Sequence, residues 1–351
     1  MPSSTHAICD VPIRSCAAEI SPALKRSFAI RVAVNIDFPL IDGRRPRVVL
    51  IAGPTASGKS DLALALAKLT PATIINADAS QVYKDLRILS ARPSVEDEAK
   101  APHRLFGHID GAHAYSAALW ASEAKTAIGE ALDEARLPIL VGGTGLYLRT
   151  LLNGIAPVPE IDPDVRAEAR RLDVSTAYAA LTLEDAQAAA RLSPNDTTRV
   201  ARALEVIRST RKPLKDWQSQ LVGGISDQVE VIPLILLPPR DWLYARCDAR
   251  FARMLAMGAE DEVRALLARN LDPALPVMRA IGVREIAAMI AQADVAEVGE
   301  GTAQRKTRQF AKRQFTWFQN QFPSEWASER RAINNEIISE LAIKLRNIAL
   351  T

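Results

Sequence analysis

Four short apolar runs separated by helical patterns dominate the chain between residues 47 and 240. The runs are "VVLIA" at 48–52, "TIINA" at 73–77, "LPILVGG" at 137–143 and "VEVIPLILL" at 229–237. Continuous β-branched runs are typical of strands that are buried on both faces, and helices between such strands are the crossovers that parallel pairing needs. The pattern therefore predicts an α/β fold, with a parallel sheet covered by helices on both faces.

The remaining segments have other patterns. Residues 157–217 are rich in Ala, Arg and Leu at helical period, and the pattern after Pro239 is helical except at "NLDPALP", 270–276. Residues 1–46 show no sustained periodicity, which predicts a disordered extension outside the fold. The predicted units are the extension 1–46, the core 47–156 and 218–322, the helical insertion domain 157–217 and a C-terminal helix 323–351.

Composition narrows the class of protein. The 351 residues include no run of about 18 apolar residues, so no membrane-spanning helix is expected. The chain has 44 Lys and Arg residues and 41 Asp and Glu residues, so its net charge is small. Any surface that binds nucleic acid must therefore be a local cluster of basic residues. The three cysteines, Cys9, Cys16 and Cys247, form no C-x-x-C pair, which favours a cytoplasmic protein without structural zinc.

A phosphate-binding loop connects the first strand to the first helix. Its sequence "GPTASGKS" fits the pattern G-x-x-x-x-G-K-[ST], in which backbone N–H groups and a helix N-terminus surround phosphate oxygens. The lysine adds a positive charge, and the final hydroxyl faces Mg²⁺. The predicted phosphate contacts are Gly53, Pro54, Thr55, Ala56, Ser57, Gly58, Lys59 and Ser60, with Ser60 as the metal ligand. The loop alone does not reveal what happens to the phosphate.

Two further stretches lie at predicted strand ends, where parallel sheets bind ligands. Asp78 directly follows "TIINA", as either a catalytic carboxylate, a helix cap or a Mg²⁺ ligand through water. The stretch "VGGTGLYL" at 141–148 contains Gly142, Gly143 and Gly145 around Thr144. These glycines permit either close approach to a ligand or an ordinary strand-to-helix turn.

Basic residues recur in the C-terminal half. The segment "TRQFAKRQFTWFQNQF" at 307–322 predicts a helix with two faces. One face carries Arg305, Arg308 and Lys312, and the other carries Ala311, Phe315 and Phe318. Further basic residues are Arg199, Arg202, Arg279 and Arg284. Such separated clusters indicate contact with a phosphate backbone, whereas a single charged helix face is usually only solvated.

An ordered set of motifs carries a resemblance to a known family. The motifs are "GPTASGKS", "ADASQVY", "APHRL", "YSAALW", "PILVGGTGLYLRTLLNGI", "PNDTTRVARALEV", "MRAIGVRE" and "TRQFAKRQFTWF". In order and spacing they resemble those of the tRNA dimethylallyltransferases, over residues 47 to about 322. The resemblance implies a P-loop NTPase-like fold and transfer of a dimethylallyl group from dimethylallyl diphosphate to N6 of the adenine 3′-adjacent to the anticodon. It also implies Mg²⁺ as cofactor, and we expect a monomer.

The resemblance assigns roles to residues. Asp78 would be the general base, Arg250 would contact the diphosphate, and Thr55 would touch the isoprenoid substrate. The positions that match the family's tRNA contacts are Asp78, Ala79, Ser80, Gln81, Thr144, Arg166, Thr197, Thr198, Arg199, Val200, Ala201, Arg279, Ala280, Ile281, Gly282, Val283, Arg284, Arg308, Gln309, Phe310, Ala311, Lys312, Arg313, Gln314 and Phe315. Ala79 replaces the family's usual serine, and "LRILSARP" replaces "MDIGTAKP", although Arg92 keeps a cation there.

Two other classes share parts of this pattern. A P-loop kinase of small metabolites would share the first 150 residues but has no need of the basic C-terminal half. A non-catalytic RNA-binding protein could use the P-loop as a switch, but Asp78 and "VGGTGLYL" at strand ends favour catalysis.

Overall fold

The computed structural model describes residues 38–291 and 296–351. Six parallel strands form one sheet in the order β3-β2-β4-β1-β5-β6. The strands are β1 (Arg47–Ala52), β2 (Ala72–Asn76), β3 (His103–Arg104), β4 (Leu137–Gly142), β5 (Glu230–Leu236) and β6 (Ala327–Glu329). The predicted α/β architecture is confirmed, and the four predicted strands agree with the observed ones to within one residue at each end.

Helices cover both faces of the sheet. They are α1 (Lys59–Leu69), α2 (Val95–Glu98), α3 (Ala117–Asp133), α4 (Gly145–Asn153), α5 (Pro163–Arg171), α6 (Val174–Glu184), α7 (Ala186–Ala189), α8 (Thr197–Thr210), α9 (Leu214–Gln218), α10 (Arg240–Ala256), α11 (Ala259–Ala268), α12 (Val283–Ala291), α13 (Ala296–Gln321) and α14 (Asn335–Leu350). Within the described ranges, no helix is both long and apolar enough to cross a bilayer.

The apolar core lies in two layers, one on each face of the sheet. In β1, Leu50 belongs to the layer under α3, α4 and α10, and Ile51 belongs to the layer under α1 and α14. Both side chains are fully buried, as the continuous apolar run predicts. Trp120 of α3 is fully buried and donates its indole N–H to the carbonyl of Asn76 at 2.7 Å, which ties α3 to the end of β2.

Two edge strands, β3 and β6, were not predicted from the sequence. β3 has two residues and β6 has three, too few to show an alternating pattern. Short edge strands are common because they limit unwanted pairing with other chains. The expectation of helix alone after Pro239 is therefore wrong at β6, and residues 323–351 contain this strand as well as α14.

The described part of the predicted extension contacts the fold. Residues 1–37 lie outside the described residues. Phe38 is buried in the apolar layer under α3, and the amide of Glu230 donates to the carbonyl of Pro46 at 2.9 Å. The expectation that all of 1–46 lies outside the fold is therefore wrong from Phe38 onward. A single buried aromatic residue produces no periodic pattern, which explains the error.

Residues 157–217 build a separate helical unit around their own apolar cluster. The cluster comprises Ala169, Ala177, Leu181, Ala188, Ala189, Val200, Ala203 and Leu204. Where the chain leaves and re-enters the core, Ile155 and Val222 form an antiparallel bridge with two N–H to carbonyl bonds of 3.0 Å. Lys125 of α3 donates to the carbonyl of Gly223 beside this bridge at 2.5 Å.

Candidate active site

The P-loop fills the gap between β1 and α1 at the carboxyl edge of the sheet. Gly53 has a φ of 149°, and a methyl group there would lie 2.4 Å from the carbonyl oxygen of Leu236. Gly58 has a φ of 93° at the start of α1. Both positions require glycine, because L side chains rarely adopt these angles. The loop therefore leads directly into the N-terminus of α1, where the first helical N–H groups favour binding of an anion.

Two cations and one carboxylate meet at this loop. Burial lowers the pKa of Lys59 to about 8; the facing Asp78 carboxylate opposes this shift, and Arg250 adds to it. Burial also lowers the pKa of Arg250. Lys59 donates to the carbonyl of Pro54 at 2.6 Å. Partly buried positive charges without a full set of counter-charges are stabilised by an anion, so the electrostatics favour a bound diphosphate.

Arg250 and Gln314 hold the P-loop from distant parts of the chain. Arg250 of α10 donates to the hydroxyl of Thr55. The amide of Thr55 donates to Oε1 of Gln314 at 2.8 Å, and Nε2 of Gln314 donates to the carbonyl of Gly143 at 2.8 Å. Gln314 is buried and connects two strand ends. These bonds give Gln314 a structural role, and because it also lines the cavity beyond Asp78, its contact with tRNA stays a prediction.

Asp78 lies two residues beyond β2 in a network of turn hydrogen bonds. Its amide donates to Oδ1 of Asn76 at 2.8 Å, and its own Oδ1 accepts from the amide of Ser80 at 2.9 Å. The amide of Ala79 donates to the hydroxyl of Thr144 at 2.9 Å, which joins this turn to the end of β4. The carboxylate accepts this bond through one oxygen and faces Lys59, so it keeps acceptor sites for chemistry.

Two cavities meet at Asp78. The inner cavity, about 50 Å³, lies beside Thr55 and Arg250 and has apolar walls formed by Leu86, Leu89, Phe251 and Met254. The outer cavity, about 430 Å³, opens beyond Asp78 and has aromatic walls formed by Tyr83, Phe310, Trp317 and Phe318. Both are lined by Asp78, Ser80, Ala280, Ile281 and Phe310. The carboxylate therefore lies where a small apolar site joins a large open one.

The glycines at and just after the end of β4 serve close packing within the protein. A methyl group would lie 2.1 Å from the backbone of Ala77 at Gly142, and 2.4 Å from Nε2 of Gln314 at Gly143. At Gly145 it would lie 2.0 Å from the ring of Trp317. The packed strand-to-helix turn is therefore present at all three positions, while Gly143 and Gly145 also line the outer cavity, so contact with a ligand stays a prediction there.

We expect Gly142→Ala to lower the melting temperature by several degrees, because the methyl group would force β2 and β4 apart. Overpacking of this kind typically costs about 1–3 kcal/mol. The matched control is Gly129→Ala in α3, where a methyl group meets nothing within 4 Å. This control should stabilise the helix by up to about 1 kcal/mol. Equal melting temperatures for Gly142→Ala and the wild type would contradict the close approach.

Several predicted tRNA contacts point into the core. Val200, Val283, Ala311 and Phe315 are at most 8% exposed, so their side chains cannot reach an external ligand. Helical segments present only part of each turn to solvent, and a continuous range therefore includes inward-facing positions. The two faces predicted for 307–322 are otherwise confirmed, because Ala311, Phe315 and Phe318 are buried while Lys312 is exposed.

Exposed cations surround the mouth of the outer cavity. Arg279, Arg284, Lys306 and Arg313 line an adjoining cavity of about 380 Å³, and none of them forms an ion pair with another described residue. Arg308 differs, since its guanidinium lies 2.6 Å from the carboxylate of Asp248. Lys306 was missed in the sequence, although its seven-residue spacing from Arg313 places both on one helix face.

The remaining predicted residues lie at three places. Gln81 donates to the carbonyls of Ser90 and Ala91, both at 3.0 Å. Arg166 lies in α5 and Thr197–Ala201 begin α8, both within the helical unit at 157–217 rather than at the P-loop. The predicted residues that line at least one of the inner, outer and adjoining cavities are Thr55, Asp78, Ala79, Ser80, Thr144, Arg250, Arg279, Ala280, Ile281, Arg284, Phe310, Arg313 and Gln314.

The described residues contain no group of three or more His, Cys, Asp or Glu side chains that could hold a metal ion. Mg²⁺ in phosphate sites commonly uses one or two protein oxygens, with substrate phosphates and water completing its shell. The exposed hydroxyl of Ser60 at the start of α1 and the carboxylate of Asp78 are such oxygens. The donor set therefore fits a Mg²⁺ that arrives with a diphosphate, and does not fit a resident metal cluster.

Comparison with known proteins gives one consistent family. Residues 81–321 match the family described as IPP transferase. A tRNA dimethylallyltransferase of Sphingopyxis alaskensis is 60% identical over 87% of this chain and all of its own length. One from Erythrobacter litoralis is 56% identical over 81% of this chain and 91% of its own.

Solved structures agree with these relatives. A full-length tRNA isopentenylpyrophosphate transferase from Bacillus halodurans is 29% identical, with a TM-score of 0.61 over 88% of this chain and 96% of its own. A eukaryotic dimethylallyltransferase acting on tRNA is 28% identical, with a TM-score of 0.68 over 78% of this chain and 70% of its own. The chain belongs to the IPP transferase family, together with these tRNA dimethylallyltransferases.

Proposed function

We propose that the protein transfers the dimethylallyl group of dimethylallyl diphosphate to N6 of the adenine 3′-adjacent to the anticodon in tRNA. Diphosphate is the second product. The observation that carries this proposal is the meeting of two cavities at Asp78, one apolar and beside the P-loop, the other open and aromatic. A donor in the first and a nucleobase in the second would bring their reacting atoms together beside one carboxylate.

In this proposal the P-loop binds the diphosphate of the prenyl donor, and no P–O–P bond is broken. As the C–O bond of the donor breaks, negative charge grows on the diphosphate. The first N–H groups of α1, Lys59 and Arg250 would stabilise this charge, and such preorganised donors lower a barrier strongly. The apolar walls around Leu89 and Met254 would hold the dimethylallyl group and exclude water.

The proposed acceptor is a nucleobase, and it must first leave the stack of neighbouring bases. A nucleobase inside an anticodon loop cannot reach a recessed carboxylate, so the adenine must be extruded into the outer cavity. Phe310 and Trp317 offer aromatic surfaces there. The N6 amine is a weak nucleophile because its lone pair is delocalised into the ring, and Asp78 would accept its proton as the new N–C bond forms. Such general base catalysis contributes about 10²- to 10⁴-fold.

Mg²⁺ is the cofactor we propose, with Ser60 as its protein ligand; when bound, it would neutralise charge on the diphosphate. Asp78 as a ligand in its shell remains the alternative to Asp78 as base.

A nucleoside analysis tests the reaction. After incubation of unmodified tRNA with the protein and dimethylallyl diphosphate, mass spectrometry should show adenosine heavier by one isoprene unit. Hydrolysis of ATP without this product would instead favour the kinase class, which the relatives of this chain do not support.

Binding of tRNA should depend on the exposed cations at the outer cavity. Each neutralised phosphate releases a counterion, so log K should fall with log[salt] by about 0.7 to 0.9 per contact. We expect the double variant Arg284→Ala, Arg313→Ala to flatten that slope by about one to two units and to weaken tRNA binding. Binding of dimethylallyl diphosphate should change far less.

The control for this prediction removes the same charge elsewhere. Arg264 pairs with Glu260, and Arg331 pairs with Glu329 and Glu340. The double variant in which both arginines are replaced by alanine should leave the slope unchanged. Equal slopes in the two double variants would mean that this face does not contact tRNA.

A further inference from the structure

One wall of the inner cavity has no regular secondary structure. Residues 85–90 run through turns, and Leu86 and Leu89 from this segment line the cavity together with Met254. Leu89 also fills the space above Gly282, where a methyl group would lie 2.7 Å from one of its methyl carbons. Since no helix or strand orders this segment, its position depends on contacts from other elements.

Glu262 of α11 supplies the main contact. Its carboxylate accepts three consecutive backbone N–H groups, from Arg87 at 2.5 Å, Ile88 at 2.9 Å and Leu89 at 2.8 Å. Ionised carboxylates form roughly twice as strong a hydrogen bond as neutral acceptors. One side chain therefore satisfies the donors of the whole turn and orients the two leucines around it.

The C-terminal end of α11 also fixes the start of segment 85–90. Arg269, which follows α11, pairs with the carboxylate of Asp85 and with that of Asp110 at 2.6 Å. Asp85 also accepts from the amide of Gly111 at 2.8 Å. Residues 85–89 are thus held at both ends by side chains from one helix and its C-terminal end, and the cavity wall has a defined position.

Because the inner cavity is small, the position of this wall limits the size of the group that fits inside. A cavity needs about 10–15 Å³ to hold one water molecule, so about 50 Å³ accommodates roughly three to five heavy atoms. That is the size of a five-carbon prenyl group. A ten-carbon group would exceed this volume unless lining residues such as Leu86 and Leu89 moved outward.

We propose that Glu262 is a positioning residue that sets the depth of the prenyl cavity and thereby restricts the donor to a five-carbon chain. The inference rests on the proposed function. Glu262 lines neither the inner nor the outer cavity; it acts through the backbone of residues 87–89. In Gln, one carboxylate oxygen becomes an NH₂ group that would face backbone N–H donors, so Glu262→Gln should release part of the turn.

The test compares Glu262→Gln with Glu260→Gln, a surface change on the same helix whose carboxylate pairs with Arg264. For Glu262→Gln we expect the ratio of geranyl to dimethylallyl transfer to rise about tenfold. The KM for dimethylallyl diphosphate should rise several-fold, and the KM for tRNA should stay within twofold. Amide exchange at 87–89 should accelerate. Glu260→Gln should match the wild type in all four measurements.

A second variant distinguishes the effect of the cavity wall itself from the effect of Glu262, which holds it in place. Leu89→Ala should raise the geranyl ratio without faster exchange of the amides at 87 and 88. If Glu262→Gln is insoluble, Glu262→Asp keeps the charge, shortens its reach by one methylene and carries the same readouts.

Each outcome is decisive. If Glu262→Gln and Glu260→Gln share one geranyl ratio, or if exchange accelerates while the ratio stays constant, the inference is overturned and the transferase assignment stands. If the wild-type protein transfers no dimethylallyl group to tRNA, the proposed function fails, and the inference fails with it.

Discussion

Asp78→Asn should lower kcat for dimethylallyl transfer by about 10²-fold or more while leaving the affinity for tRNA nearly unchanged. Asn retains an oxygen for the amide of Ser80, which lies 2.9 Å from Oδ1 of Asp78, so the turn should keep its shape. What it loses is the ability to accept the N6 proton. Because the substrates still bind, the loss should fall on kcat rather than on the KM for tRNA.

A second carboxylate near the P-loop provides the control. Asp61 lies in the first turn of α1 and is exposed, so Asp61→Asn removes one negative charge from the same region without touching either cavity at Asp78. Its turnover should equal that of the wild type. If Asp78→Asn also stays within a few-fold of the wild type, Asp78 is a turn or metal-shell residue and the base must be sought elsewhere.

The sequence was most informative where chemistry depends on local spacing. The P-loop and Asp78 follow directly from strands that are long enough to be recognised, and ligands of parallel sheets lie at those ends. Sheet register then brings the ends of β1, β2 and β4 side by side. Such a site can be predicted because each part of it is contiguous in the chain.

Contacts between distant segments left no such signal. Gln314 and Thr55 are separated by 259 positions, and Glu262 lies 173 positions from Leu89. No periodicity or motif links these pairs, because a polar residue on an amphipathic helix looks the same whether it faces solvent or a distant turn. The pairing of Arg308 with Asp248 was hidden for the same reason, and only packing distinguishes it from a free cation.

Lys59 should produce a fall in kcat/KM for dimethylallyl diphosphate as the pH rises through about 8. Burial lowers the pKa of this lysine to about 8 in the free protein. Below that pH the ammonium is charged and attracts the diphosphate; above it, the charge is lost. The profile of kcat/KM reports the free enzyme, whereas bound diphosphate favours the charged lysine, so the fall in kcat should occur at higher pH.

Two variants examine the origin of that pH dependence. Lys59→Met should lower kcat/KM by about 10²- to 10³-fold, the cost of one preorganised donor, and should abolish the inflection near pH 8. In Asp78→Asn the inflection should move to lower pH, because the Asp78 carboxylate raises the pKa of Lys59 against the effect of burial. The two residues would then be shown to share one electrostatic site. An inflection that persists in Lys59→Met would assign the titration to another group, and an unmoved inflection in Asp78→Asn would mean that the two charges do not interact across the P-loop.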